Sequence, residues 1–362
     1  MEAAPTTSAS PDAPSPDAPS PEASGVPSLL SGIQPSGTLH IGNYFGAIRQ
    51  HIANAANTEG RTDAFFFIAN YHALTSLRDA ERLRQLTFDV ALDYLALGFD
   101  PTNAHLFVQS DVPEVTELTW VFLTLTPVSQ LEKGVSYKDK VAQGLSANGG
   151  LLAYPILQAA DILAYGDPSA PVLVPVGADQ KQNIEIARDL AIRFNNVFAP
   201  EAEPILPVPE ARIMEEVAIV PGIDGRKMSK SYGNTIPIFE EGKALKKIIM
   251  SIVTDSTPLE DPKDPETDNV FALIKLFAGG DEAAEIAESY RAGGYGYGHA
   301  KKALLGMVEK QFAEARERRR ELAARPDDVW DVLRQGATAA QEAAAATLSR
   351  VREATGLATT IR

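Results

Sequence analysis

The chain has 362 residues, enough for about two domains with a substantial core. Its 44% hydrophobic and 22% charged content is that of a globular protein, and no apolar run reaches the roughly 18 residues of a membrane span. Cysteine is absent, which excludes disulfides, cysteine-ligated zinc and iron–sulfur clusters and fits a reducing cytoplasm.

The net charge of −15 argues at first sight against a nucleic-acid partner. Four of those charges, however, sit in the first 28 residues, which contain no base. Basic residues also cluster locally, as Lys243, Lys246 and Lys247, and again as Arg316, Arg318, Arg319 and Arg320. Each cluster reads equally as an RNA contact or as a solvated helix face.

Residues 1–27 are rich in Pro, Ala, Ser and Asp, with a near-repeat over Ser10–Pro14 and Ser15–Pro19. Such a stretch has little to bury and is predicted to be a disordered tail. It lacks the basic and apolar regions of a signal peptide. From Leu29 to about Asn196, strand and helix signals alternate. Ala64–Ile68, His105–Val108 and Val172–Val176 read as short buried strands, and Asp79–Leu97, Gln158–Leu163 and Asp179–Phe194 as helices. This alternation predicts an α/β fold with a Rossmann-like, doubly wound parallel sheet that binds ligands at the carboxyl ends of its strands. Residues 134–150, with Gly134, Lys138, Lys140, Gly144, Gly149 and Gly150, read as a flexible basic loop. Beyond residue 235 the pattern turns helical, over Glu240–Val253, Asn269–Phe277, Glu282–Tyr290, Lys301–Ala324 and Asp327–Glu353. The expected division is therefore a tail (1–27), a catalytic domain (28–235) and an all-helical domain (236–362). The last helix is so alanine-rich that it must pack on something to be stable.

Two polar segments roughly 190 residues apart carry the chemistry. The first, Pro35-Ser36-Gly37-Thr38-Leu39-His40-Ile41-Gly42-Asn43, is a glycine-bearing turn entering a helix, where free N–H groups and the helix dipole attract anions. Alone, it is no more than a helix start. The second, Lys227-Met228-Ser229-Lys230-Ser231, places two ammonium groups three residues apart on a loop; an isolated pair of this kind is usually just solvated. Together the two segments could hold a nucleoside triphosphate from both ends.

The pair resembles the HIGH and KMSKS signatures of class I aminoacyl-tRNA synthetases, with His-Ile-Gly-Asn at positions 40 to 43. The run Ser31–Asn43, with its Gly-Ile-Gln-Pro-Ser-Gly turn, is similar to the first signature of bacterial tryptophanyl-tRNA synthetases in particular. So is the stretch Val174-Pro175-Val176-Gly177-Ala178-Asp179-Gln180-Lys181-Gln182. The resemblance implies that Gln34, Pro35, Ser36, Gly42 and Asn43 line an ATP site, with Thr38 and His40 donating to the α-phosphate. It implies that Lys227 and Lys230, flanked by Met228, Ser229 and Ser231, neutralise the leaving pyrophosphate on a lid, with Lys138 a third phosphate ligand. Gly177, Ala178 and Asp179 would contact the ribose and Ile213 the adenine. Asp161 would accept the indole N–H of tryptophan, Tyr154 and Gln180 would hold its ammonium, and Val174, Val176 and Gln158 would shape the pocket. The alternative for Asp161 is a capping or core-pairing aspartate, and His72 reads equally as a pocket edge or a satisfied core histidine. Gln158 departs from the methionine of many bacterial tryptophan enzymes. Tyr-x-x-x-Gln-x-x-Asp is the spacing of tyrosyl-tRNA synthetases, whose substrate also offers a donor.

The implied activity is joining L-tryptophan to tRNA(Trp) with ATP and Mg2+ as a cytoplasmic homodimer, with no resident metal and no membrane partner. A tyrosine-specific relative, or a synthetase-like module that binds tryptophan and adenylate for regulation, are the alternatives.

Overall fold

The computed structural model describes residues 25–57, 63–132, 144, 148–177, 180–213 and 219–358. Five short segments form strands: β1 (Ser28–Ile33), β2 (Ala64–Ile68), β3 (His105–Val108), β4 (Val172–Val176) and β5 (Glu210–Ile213). β2 reads Ala-Phe-Phe-Phe-Ile and is buried at every position, as a strand covered on both faces must be. All pairings are parallel, in the order β3-β2-β1-β4-β5.

Alternating side chains divide the core into two layers. Leu29, Phe66, Ile68, Leu106 and Val108 face the first, and Leu30, Phe65, Phe67, Phe107 and Val174 the second. The first layer is covered by α1 (Ile41–Asn43), a π-helical turn (Tyr44–Ile48), α2 (Arg49–Ala56) and, after the short α3 (Asn70–Ala73), by α4 (Ala80–Ala96). The second is covered by α5 (Glu114–Leu125), α6 (Val128–Glu132), α7 (Gly149–Leu163) and α8 (Lys181–Phe198). This is the expected doubly wound sheet, with its order reversing between β1 and β4.

Helix α7 corrects the sequence reading, which placed a loop through residue 150 and a helix only from Gln158. The helix begins at Gly149, and the side chain of Asn148 caps it by accepting from the Leu151 N–H at 2.9 Å. Gly149, Gly150 and the internal Pro155 all disfavour helix by propensity. Burial of Leu151, Tyr154, Ile156, Ala159 and Ala160 against α5 and α8 overrides it. For the other elements read from the sequence the boundaries move by about a turn or less, whereas α2, α5, α6 and β5 were not anticipated. Asp79 caps α4, accepting from the Arg82 N–H, and α8 runs to Phe198 instead of Phe194.

Five helices follow: α9 (Gly242–Met250), α10 (Asn269–Phe277), α11 (Gly280–Ala292), α12 (Tyr297–Ala323) and α13 (Pro326–Thr355). The first core layer continues into them through Leu245, Ile249, Phe271, Ile274, Leu304 and Phe312. α12 starts at Tyr297, ahead of the expected Lys301, and takes Gly298 into its first turn. Pro326 opens α13, where the N–H it lacks would have had no helical partner.

The alanine-rich α13 packs across the outer edge of β3. Val329 and Leu333 join the first layer, while Ala337, Ala340, Ala344 and Leu348 join the second. At the crossing, a Cβ on Gly336 would stand 2.1 Å from the Leu106 carbonyl oxygen, so only glycine allows so close an approach.

The arginine cluster fastens α12 to the rest of the chain. Arg316 Nε donates to the Ile238 carbonyl (3.0 Å), Arg318 Nε to the Ala96 carbonyl (2.8 Å) and Arg319 Nε to Asp93 (2.7 Å). Arg320 pairs with Glu241 and Glu317. At the other end, the Gly25 N–H donates to the Ser169 carbonyl at 3.2 Å, so the end of the stretch read as a tail is attached. Residues 1–24 lie outside the described residues.

Candidate active site

Open α/β sheets bind ligands where the strand order reverses. Here that crevice lies between the carboxyl ends of β1 and β4 and opens into a cavity of about 390 Å3. Eight of the expected residues line it: Gln34 after β1, His72 in α3, Tyr154 and Gln158 on α7, Val174, Val176 and Gly177 on and after β4, and Gln180 at the start of α8. Ile213 is half exposed and pairs in register with Val176, which puts it on the rim.

Asp161 is fully buried one helical turn from Gln158 and does not itself line the cavity. Gln109 Nε2 donates to both its oxygens, at 2.7 and 3.0 Å, and His72 Nε2 lies 3.0 Å from Oδ2. Burial pushes the Asp161 carboxyl above the usual carboxylate range, while the His72 and Gln109 contacts oppose that shift. Gln109 is itself fixed, because its Oε1 accepts the Tyr71 N–H at 3.0 Å. Asp161 therefore has protein donors as a core aspartate needs, and His72 both contacts it and edges the cavity.

Sequence reasoning missed Gln109, which stands just after β3, at the strand end where this fold gathers its ligands. It also missed His51 and Ser31, which line the cavity floor. His51 Nε2 lies 3.0 Å from Ser31 Oγ and Nδ1 2.9 Å from the Tyr94 hydroxyl. Burial lowers its pKa to about 4, so the ring is neutral near pH 7.

The two motifs meet beside this cavity. His40 caps α1: its Nδ1 accepts the Asn43 N–H at 3.3 Å, while its own N–H donates to Asn43 Oδ1 at 3.1 Å. With Nδ1 accepting, the network assigns the ring proton to Nε2. Burial, and then the nearby Lys230 charge, lower the His40 pKa to about 4. The ring is therefore a neutral donor.

The lysine segment is docked on the first motif. The Gly42 N–H donates to Met228 Sδ at 3.3 Å, and Met228 is buried. Lys230 Nζ donates to Ser36 Oγ at 3.2 Å and to the Gly37 carbonyl at 2.9 Å. Its pKa is lowered by burial, against an opposing pull from Asp93. Ser229 Oγ accepts from the Ser231 N–H and starts a short turn, Lys230–Tyr232. Lys227 is exposed at the outer side, with Thr38 exposed on the facing turn.

Asn234, which sequence reasoning also missed, organises the segment from within. Buried, it donates to Asp224 (2.7 Å) and the Lys227 carbonyl (3.1 Å) and accepts from the Ser229 N–H (2.8 Å). Lys138, Ala178 and Asp179 lie outside the described residues.

A nucleotide-sized crevice at the sheet's switch point, flanked by a cationic segment seated on a capped helix start, defines a class I nucleotide-activating core. The model of the family described as tRNA synthetases class I (W and Y) matches residues 23–313, and the chain belongs to that family. It is 52% identical over 329 residues to the tryptophan–tRNA ligase of Rhodopirellula baltica, covering 91% of this chain and 99% of that one. With that of Fusobacterium nucleatum it shares 50% identity, over 91% and 97% of the two chains. Among solved structures, tryptophanyl-tRNA synthetase from Campylobacter jejuni, complexed with ADP and tryptophan, aligns with a TM-score of 0.83 at 49% identity. That alignment covers 91% of this chain and 99% of that one.

Proposed function

We infer that this enzyme is a tryptophan–tRNA ligase. It activates L-tryptophan with ATP and passes the aminoacyl group to the 2′-hydroxyl of the terminal adenosine of tRNA(Trp). The observation that carries the mechanism is the docking of Lys230 on the Ser36–Gly37 turn, which brings both phosphate-binding segments to one place.

Tryptophan enters the cavity with its ring between His72, Gln158, Val174 and Val176. Its indole N–H replaces or joins His72 at Asp161, and Tyr154 and Gln180 hold the ammonium. MgATP lies along Gln34, Pro35, Ser36, Gly42 and Asn43, its adenine against Ile213 and its ribose at Gly177, Ala178 and Asp179. Magnesium arrives as part of this substrate.

The tryptophan carboxylate attacks the α-phosphorus and the bond to pyrophosphate breaks. Thr38 and the Nε2–H of neutral His40 donate to the charge gathering on the α-phosphoryl oxygens. Lys227, Lys230 and Lys138, with Met228, Ser229 and Ser231 shaping the lid, receive the pyrophosphate. The tRNA hydroxyl then attacks the adenylate carbonyl and AMP leaves. Positioning and charge stabilisation suffice, and no covalent enzyme nucleophile is needed.

The same reading assigns residues 28–235 to catalysis and 236–362 to the anticodon and the dimer, in a cytoplasmic enzyme. Among the described residues, no helix is long and apolar enough to cross a membrane. A homodimer is supported by Trp120 (67% exposed), Val128 (61%) and Val197 (53%) on neighbouring α5, α6 and α8. Arg193 on α8 donates to the Leu125 carbonyl of α5 at 2.8 Å and to Gln130 Oε1 of α6 at 3.4 Å. All three lie on helices that cover the second core layer, the side of the sheet on which a partner subunit would cover them.

ATP–pyrophosphate exchange with tryptophan and with tyrosine tests the reading. Tryptophan-dependent exchange is expected; a preference for tyrosine, or no exchange at all, overturns it.

A further inference from the structure

Helix α9 carries three lysines and no acid. Lys243, Lys246 and Lys247 stand at i, i+3 and i+4, on one face of the helix. All three are exposed, as is Met250 next along the stripe, while Leu245 and Ile249 on the opposite face are buried in the core. No ion pair among the described residues engages these lysines. The arginines of α12 differ, each held by a carbonyl or a carboxylate. Like charges at this spacing repel and weaken a helix. In a chain with a net charge of −15, an uncompensated cationic stripe is a local exception that suits a polyanion.

Its position indicates which part of a polyanion it meets. The Ile41 N–H donates to the Ile236 carbonyl (3.0 Å) and the Ile238 N–H to the Leu39 carbonyl (3.2 Å), so this short ladder flanks His40. Lys243 follows Ile238 by five residues, a span of at most about 18 Å of chain. Lys301 Nζ donates to the Met250 carbonyl at 3.1 Å and adds a further positive charge at the far end of α9, with Lys302 exposed beside it.

We propose that the Lys243-Lys246-Lys247 stripe grips the phosphate backbone of the tRNA acceptor strand as its terminal adenosine enters the site. The inference rests on the reading of the chain as a tRNA ligase. A reactive 2′-hydroxyl must reach the adenylate beside His40, so the RNA crossing a helix this close is the strand leading to the 3′ end. The contact is made to phosphates and supplies affinity and register without reading bases.

The test compares the full chain with its K243E/K246E/K247E variant and with a triple Lys→Arg variant. Measured are tryptophan-dependent pyrophosphate exchange, tRNA binding across a salt series, and the KM for tRNA in charging. The glutamate variant is expected to keep its exchange rate and to bind tRNA about tenfold more weakly or worse. Its salt slope should fall by about two to three, since each phosphate contact contributes about 0.7–0.9. The arginine variant should behave like the unaltered chain. Unchanged tRNA affinity and salt slope, with exchange intact, overturn this inference and leave the ligase reading standing. Loss of exchange in the glutamate variant also overturns it, because the lysines would then belong to adenylate formation. Failure of the unaltered chain to exchange with tryptophan overturns the ligase reading instead.

Discussion

Lys230 Nζ donates to the Gly37 carbonyl oxygen at 2.9 Å, joining residues 193 positions apart. The lid is thereby seated on the turn it serves, and its ammonium is partly desolvated before any phosphate arrives. A cation in such a setting acts more strongly on a developing charge than one in water.

Replacing Lys230 with alanine should therefore slow adenylate formation by about 100-fold or more, the usual effect of losing one charge-stabilising donor. Tryptophan affinity, measured by calorimetry, should stay nearly unchanged. Undiminished pyrophosphate exchange would refute the lid role.

Asp161→Ala is expected to raise the KM for tryptophan far more than that for ATP, because a buried substrate donor is left unpaired. Gln109→Leu should act in the same direction with a smaller effect, since it loosens the carboxylate without removing it. An equal fall in ATP affinity would make Asp161 purely structural.

Asn234→Ala removes three hydrogen bonds inside the lid. A loss of about 1–3 kcal/mol per buried group left unsatisfied sets the scale. Limited proteolysis should find faster cleavage between Asp224 and Gly233, with pyrophosphate exchange slowed in parallel. A cleavage rate matching that of the unaltered chain would show that the lid holds without Asn234.

Two glycines should respond in opposite directions. Gly336→Val drives a side chain into the Leu106 backbone and should destabilise by about 3 kcal/mol or more, at the upper end of overpacking effects. Gly306 is helical and open, with nothing within 4 Å of an added Cβ, so Gly306→Ala should stabilise by about 1 kcal/mol. Denaturant unfolding measures both.

His51 is held neutral, with its pKa lowered from 6.5 to about 4. As pH falls below 6.5 the unfolded chain takes up the proton first. The stability this ring contributes is thus full above 6.5 and lost as pH drops through about 4. A shift of this size corresponds to about 3 kcal/mol. His40 acts in the same direction, and Asp93, raised to about 6, in the opposite one. The informative quantity is therefore the difference between the unaltered chain and His51→Phe, whose stability should decline less steeply between pH 6.5 and 4. Parallel curves would show that His51 does not titrate differently on folding.

Three strands were legible as apolar runs too short for helices, as Ala64–Ile68 and Val172–Val176 illustrate; β5, reading Glu-Ala-Arg-Ile and largely exposed, carries no such signal. The motif pair was legible because glycine turns and spaced lysines are rare together. The start of α7 was not: Gly149, Gly150 and Pro155 signal a break locally, and only burial against α5 and α8 decides otherwise. Gln109 and His51 sit in runs without polar periodicity, and their partners come from other elements, Asp161 from α7 and Ser31 from β1. The arginines of α12 and the lysines of α9 look alike as sequence; only packing distinguishes those that meet backbone carbonyls from those that meet water.

The crossing of α13 over β3 has a consequence for biogenesis. A bare sheet rim invites pairing with a second chain, and a covering helix is one of the devices that suppress it. Molecules cut short before Pro326 would lack α13 and display that rim. They would be drawn into intermolecular aggregation from which the covering helix otherwise protects the edge.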